Sequence, residues 1–311
     1  MLCLLLNGGK KELLINRELL KDMRISKGLT QERLSEGICS WETLSRIEGG
    51  KRKPNKKNLY RMYKKMGLDR EKYYGYIHAD RFALYEKVRE MQKIWSKGSR
   101  EAADSLAEEI AAELDMSIPV NIQFIETHRL ISAVRKGKIT ETEAIGKAEE
   151  LLRYTMKDYH GTVYRAPFRE ECVLLNQIAL YLKHSGRIEE AIQLWEQILD
   201  RYQKSDVAEE HHAVTEMLIY KNYPGALEVH GDLEKSEQMA LKGMRLAMKC
   251  HSGQTAAFIL ANLACVYEKR SVQNDLLLCE KSLHCSFQLL RFYGYDARCK
   301  VIKDYYEKTS L

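Results

Sequence analysis

At 311 residues, 45% of them hydrophobic, the chain is long enough to bury a substantial core and to hold two domains. Four prolines, few glycine-rich stretches and 30% charged residues favour an all-α protein over an all-β one. The formal charge of +6 is uneven: residues 1–70 hold 17 Lys and Arg against 8 Asp and Glu, and the rest is slightly acidic, so only the front of the chain suits a polyanionic partner.

The eight cysteines (Cys3, Cys39, Cys172, Cys250, Cys265, Cys279, Cys285, Cys299) show no paired spacing and fall mostly inside apolar helical patterns. They are expected to be reduced, buried thiols rather than a disulfide framework. The opening MLCLLLNGGKK has too short an apolar run, with no basic segment before it, for a secretory signal. No stretch approaches the roughly 20 apolar residues of a membrane span. A cytoplasmic protein with no membrane partner is expected.

In chain order, residues 16–27 (NRELLKDMRISK) read as a first helix with Leu19, Leu20 and Met23 on one face and Gly28 as its stop. Thr30 then caps a short helix whose apolar face carries Leu34 and Ile38. Gly37 releases it, and Ser40 caps the next, which turns Leu44 and Ile47 inward and leaves Trp41, Glu42, Thr43, Ser45 and Arg46 pointing elsewhere. Gly49 and Gly50 end that helix, and Lys51, Arg52 and Lys53 follow at once. A short capped helix with polar residues at its start, flanked by cations, is what reading the major groove of double-stranded DNA requires. Pro54 sets up a fourth helix, Asn55 to Met66, with Leu59, Met62 and Tyr63 facing the core. Between Lys51 and Lys65 there are eight bases and no acid, a run suited to lying along phosphates.

Residues 12–69 therefore form a helix-turn-helix domain, and 70–77 (REKYYGYI) join it to the remainder. Tyr73, Tyr74 and Tyr76 fit packing of a connecting helix better than base stacking. Residues 78–311 repeat helix, break, helix, with breaks near Gly98, Gly137, Gly186, Gly231 and Ser271, spaced 39, 49, 45 and 40 residues apart. Such periods indicate an α-solenoid. In its clearest unit, Leu175 to Leu199, Ala179 lets two helices approach, Gly186 makes the turn, Ala191 fits the crossing and Trp195 fills the space between neighbours. Ala264 and Tyr267 repeat part of this pattern; the unit around Gly231 is weaker, with Pro224 in the small-residue slot. Asp296 to Lys308 reads as a terminal capping helix.

The unit at 175–199 resembles the tetratricopeptide repeat, and residues 16–67 resemble the phage-repressor-like helix-turn-helix family. The turn LSEGICS is one residue shorter than that family's usual form, and LSEGICSWETLSRIEGG is similar to the same stretch in the RRNPP group, cytosolic regulators that bind short signalling peptides. This resemblance spans essentially the whole chain. It implies an all-α protein with an N-terminal helix-turn-helix domain followed by a solenoid of tetratricopeptide-like pairs. It further implies a homodimer on a near-palindromic operator, with the repeats forming a groove for a short signalling peptide.

By motif position, Gln31 is expected to set its side chain and a backbone N–H on a phosphate. Ser40, Trp41, Glu42 and Thr43 are candidates for base edges, and Arg46 for the DNA backbone beside Lys51, Arg52 and Lys53. In the repeats, Asn176, Gln177, Asn222 and Asn262 carry amides on first helices, where an amide can satisfy the N–H and C=O of an extended peptide or bridge neighbouring helices. Lys183, Lys221, Glu228 and Glu268 supply charge selectivity in the groove or solvated surface. Enzymatic readings are thin. Cys279, His284 and Cys285 have no second ligand pair at metal spacing, His211 and His212 diverge on a helix, and Glu189 and Glu190 sit where such repeats expose acids. There is no P-loop, GxGxxG or nucleophile elbow. No enzyme, metal or cofactor is expected. Two other readings stay open, an adaptor that captures a partner protein and a phage-type repressor without a ligand.

Overall fold

The structure is a computed structural model that describes residues 20–21, 24–25, 27–52, 55–66, 84, 87–88, 90–91, 94, 100–205, 209–270 and 273–309. Among these the secondary structure is entirely helical. The expectations for residues 16–19, Cys3, Met23, Lys53, Pro54, the junction at 70–77 with its three tyrosines, and the breaks at Gly98 and Ser271 lie outside the described residues.

The head is built by its caps. The Thr30 hydroxyl accepts the Arg33 N–H at 3.1 Å to start α1 (Gln31–Ser35), and Ser40 accepts the Thr43 N–H at 3.3 Å to start α2 (Trp41–Glu48). Between them Gly37 sits at φ +73°, the left-handed region that side chains resist, so the chain reverses without strain. Asn55 begins α3 (Lys56–Lys65), its side chain accepting the Asn58 N–H at 2.7 Å. These elements close over Leu20, Leu34, Leu44, Ile47, Leu59, Met62 and Met66, a core of seven buried side chains. One polar tie lies inside. Arg24 donates from Nε and Nη2 to the two oxygens of Glu48, at 2.7 and 3.0 Å, and from Nη1 to the Leu29 carbonyl at 2.7 Å.

The body is a stack of helix pairs. Buried Leu84, Val88 and Met91, spaced as one helical face, pack with α4 (Arg100–Glu113) and α5 (Pro119–Arg135). The pairs are then α5 with α6 (Glu141–Leu152), α7 (Arg169–His184) with α8 (Ile188–Gln203), α9 (Glu209–His230) with α10 (Leu233–Lys249), and α11 (Gly253–Arg270) with α12 (Gln273–Phe292). Helix α13 (Asp296–Thr309) covers the end. Turns inside the pairs fall at Gly137, Gly186 and Gly231, and the first helices α5, α7, α9 and α11 lie side by side.

A continuous core runs from Leu130 to Ile302. Ala179 and Ala191 are fully buried where α7 and α8 cross, and Trp195 fills the gap to α9 with its ring 6.0 Å from that of Tyr223. Helix α9 continues through Pro224, whose carbonyl accepts the Ser236 hydroxyl at 2.7 Å, so the weak repeat of the sequence is a full pair. Gly243 explains its close approach: a Cβ there would stand 2.5 Å from Tyr220 Cβ and 2.9 Å from Ile259 Cδ1. The 49-residue spacing reflects a long link, 153–168, pinned by Arg165. That fully buried side chain donates from both Nη atoms to Glu171 at 2.7 Å, and reaches the carbonyls of Thr155 and Ala166. The described cysteines are free; Cys172 and Cys279 are buried as expected, whereas Cys265 and Cys285 are exposed because they lie on outward faces of α11 and α12. No helix among the described residues is long and apolar enough to cross a membrane.

Candidate nucleic-acid interface and peptide groove

On α2, Leu44, Ile47 and Glu48 are committed to the interior, which turns the other face outward. Ser40, Trp41, Glu42 and Arg46 are exposed, Trp41 by 49%, and Lys51 and Arg52 beside them are exposed too. Thr43 is half-buried; its hydroxyl accepts from Arg52 Nη1 at 3.3 Å and from Ser40 Oγ at 3.2 Å, which fixes the cationic wing against the start of α2. The arrangement can present side chains to a groove while cations flank it. Gln31 is placed differently from the rest. Its Nε2 donates to Glu48 Oε2 at 2.7 Å, so the amide nitrogen joins the Arg24–Glu48 tie instead of extending outward. Sequence reasoning missed that tie, because Arg24 and Glu48 are 24 positions apart with no local pattern linking them.

In the body, the candidate amides form a chain between helices. Asn176 Oδ1 accepts from the Trp195 indole N–H at 3.0 Å and from Asn222 Nδ2 at 3.1 Å. Asn222 Nδ2 also reaches the Leu218 carbonyl at 3.1 Å, and Asn262 Nδ2 donates to the Lys221 carbonyl at 2.9 Å. One amide of each pair is thus spent on joining α7 to α9 and α9 to α11, the bridging alternative of the sequence reading. Gln177 is half-buried on α7.

Half-buried Lys183, Lys221, Asn222, Gly225, Glu228, Phe258 and Asn262 make a strip along α7, α9 and α11. Gly225 leaves a small hollow there: the position its Cβ would take is 3.5 Å from Asn262 Oδ1 and 3.7 Å from Lys183 Nζ. Burial lowers the Lys183 ammonium from its ordinary pKa, opposed by Glu228. Glu228 itself pairs with Lys269 at 2.6 Å. Lys221 stands 3.7 Å over the Phe258 ring, and burial, with Arg298 adding repulsion, pulls its pKa down to about 8. Glu268 faces the Tyr305 hydroxyl on α13, whose ionisation burial and that carboxylate both suppress. Phe258 and Arg298 were not legible as site residues, since they meet Lys221 only when three helices converge. Among the described residues no group of three His, Cys, Asp or Glu side chains could hold a metal ion.

Residues 20–72 match the helix-turn-helix family model. The head is a helix-turn-helix domain. Joined to the repeats, it gives a chain-length likeness to solved structures. PlcR of Bacillus thuringiensis, in complex with the peptide PapR7 and DNA, is 19% identical with a TM-score of 0.59, over 92% of this chain and 98% of that one. ComR of S. thermophilus, in complex with DNA and its signalling peptide ComS, is 14% identical with a TM-score of 0.57, over 95% and 99%. The apo form of ComR from Streptococcus vestibularis is 12% identical with a TM-score of 0.53, over 95% and 98%. At these identities the likeness establishes the fold, a helix-turn-helix domain carried by a helical-repeat body. No curated protein matches the sequence.

Proposed function

We propose that this chain is a cytoplasmic, homodimeric transcriptional regulator that binds double-stranded DNA and is controlled by a short signalling peptide held by its repeats. The observation that carries the reading is the capped α2, its polar face exposed beside Lys51 and Arg52, on a fold shared end to end with two proteins solved with DNA and peptide. Ser40, Trp41, Glu42 and Thr43 meet base edges in this reading, while Arg46, Lys51, Arg52 and Lys53 hold phosphates. Gln31 reaches a phosphate by its backbone N–H and positions Glu48 by its side chain. In the groove, Gln177, Lys183, Lys221, Glu228 and Glu268 select the peptide, and the second functional groups of Asn176, Asn222 and Asn262 grip its backbone. A peptide changes DNA affinity only by binding two dimer shapes unequally, so control is a population shift.

The test is a titration of the purified protein against its own upstream DNA and scrambled DNA, at several salt concentrations, with and without a pool of synthetic heptapeptides. A preferred near-palindromic site, steep salt dependence and a peptide-induced change in affinity are expected. Arg46→Ala should weaken binding to every sequence, while Thr43→Ala should change sequence preference. Absence of any preferred DNA site, with capture of a protein partner instead, would favour an adaptor; DNA binding that no peptide alters would favour a ligand-independent repressor.

A further inference from the structure

Three helices bring a cluster of cations to one aromatic ring. Phe258 lies on α11, Lys221 on α9 and Arg298 at the start of α13. The Lys221 ammonium is 3.7 Å from the ring centroid, and the Arg298 guanidinium carbon is 5.9 Å from it. A cation at the first distance is attracted by the negative face of the ring. Two positive charges around one ring repel each other, and partial burial together with Arg298 draws the Lys221 ammonium down to about 8. Among the described residues no carboxylate pairs with Lys221. The nearest acids along the strip are engaged elsewhere: Glu228 is bound to Lys269, and Glu268 faces Tyr305.

The contrast with Lys183 sharpens this. Lys183 lies at the other end of the same strip, across the hollow at Gly225, and Glu228 offsets its desolvation. A carboxylate therefore faces the cations at one end of the strip, whereas among the described residues none pairs with Lys221 at the other. Two like charges beside one ring, with no carboxylate between them, form a place where an anion is attracted by both.

The geometry points to a subsite formed by Lys221, Arg298 and Phe258 that takes a carboxylate of the bound peptide, with an apolar portion of that residue against the ring face or edge. This rests on the peptide-sensing reading above and adds the chemistry of the ligand and the residues that choose it. The Asn262 amide, one helical turn beyond Phe258 and tied to the Lys221 carbonyl, orients the neighbouring peptide unit. A peptide's C-terminal carboxylate and an Asp or Glu side chain share the chemistry.

Four pools of synthetic heptapeptides separate the cases: free or amidated C-terminus, each with or without Asp and Glu. Affinity selection on the full chain, read by mass spectrometry, is followed by calorimetry on the peptides recovered. Carboxylate-bearing peptides are expected to bind at least about tenfold more tightly than the amidated, acid-free pool. Loss confined to amidation assigns the C-terminus; loss confined to removal of Asp and Glu assigns a side chain. Lys221→Met and Arg298→Gln should each weaken carboxylate-bearing peptides roughly tenfold while leaving acid-free amides unchanged, and Lys221→Arg should retain the preference. Arg298 is exposed, so Arg298→Gln keeps the test valid if Lys221→Met unfolds. Equal binding by the amidated, acid-free pool, or equal loss for all peptides in the variants, overturns the subsite but leaves peptide sensing standing. Failure of every pool to bind removes both.

Discussion

The head and the body each bury an arginine–glutamate pair, and the two pairs stand on very different supports. In the head, Arg24 and Glu48 bond bidentately beside a core of seven side chains. In the body, Arg165 and Glu171 do the same, but within a core that continues through four helix pairs. Arg165 has two carbonyls and the face of Phe168 at 4.9 Å, and Glu171 also accepts the Phe168 N–H at 2.9 Å. A buried pair adds little net stability over an apolar pair, yet losing one member leaves a charge without compensation. The same chemistry therefore carries different risk: the small core has little surplus to absorb such a loss, and the large one does. In the head the pair also fixes the inner face of α2 and hence which residues look outward.

The largest expected effect follows from that asymmetry. Glu48→Ala strands Arg24 and releases Gln31, and should cost about 3–5 kcal/mol, enough to unfold the head alone. Hydrogen exchange read by mass spectrometry should show protection lost across residues 27–66 and kept in the body. Glu171→Ala should carry a similar local cost but leave α9 to α12 protected. Global unfolding by Glu171→Ala with a folded head in Glu48→Ala would invert the comparison.

A second difference is acid sensitivity. The head has no histidine within residues 1–70, whereas the body holds half-buried His128 beside Phe124, ring centroids 4.8 Å apart. Burial, with repulsion from Arg169 and Arg135, lowers the His128 pKa to about 4. The native state therefore stays neutral while the unfolded chain takes up a proton below about 6.5. The unfolded state binds more protons, so stability is intact above that pH and falls as pH drops toward 4. At pH 5 the loss should be about 2 kcal/mol. Thermal unfolding of the body between pH 7 and 5 should shift less in His128→Gln than in the parent. An identical shift in both would place the proton elsewhere.

Much of the head was legible because its signals are local. Thr30 and Ser40 make the caps their side chains suggest, and Leu34, Leu44 and Ile47 are buried as their spacing requires. In the body, Ala179, Ala191 and Trp195 report the crossing of α7 and α8 for the same reason: each is read within one repeat. What stayed hidden joins distant positions. Arg24 meets Glu48, and Lys221 meets Phe258 and Arg298, through packing that no window of sequence contains. The link at 153–168 is held from inside by its buried Arg165, which no repeat spacing announces.

The smallest effect tests the amides, where structural bridging and peptide gripping compete. Asn176 is the hub, accepting from Trp195 and Asn222, and the indole it serves is fully buried. Asn176→Ala leaves that N–H without its acceptor, so about 1–3 kcal/mol of stability should go, a loss that masks its share of the peptide grip. Asn222 differs, because its amide donates to the Leu218 carbonyl of its own helix as well as to Asn176, and it is half-buried on the strip. Asn222→Ala should therefore cost roughly 1 kcal/mol or less in stability. If its second group holds the peptide backbone, affinity for recovered heptapeptides should still fall by about fivefold to tenfold. A double-mutant cycle of stability for the two amides isolates the bridge, and calorimetry on Asn222→Ala isolates the grip. Affinity unchanged in a folded Asn222→Ala would leave the amide chain as masonry between helices and move backbone recognition to Gln177 and Asn262.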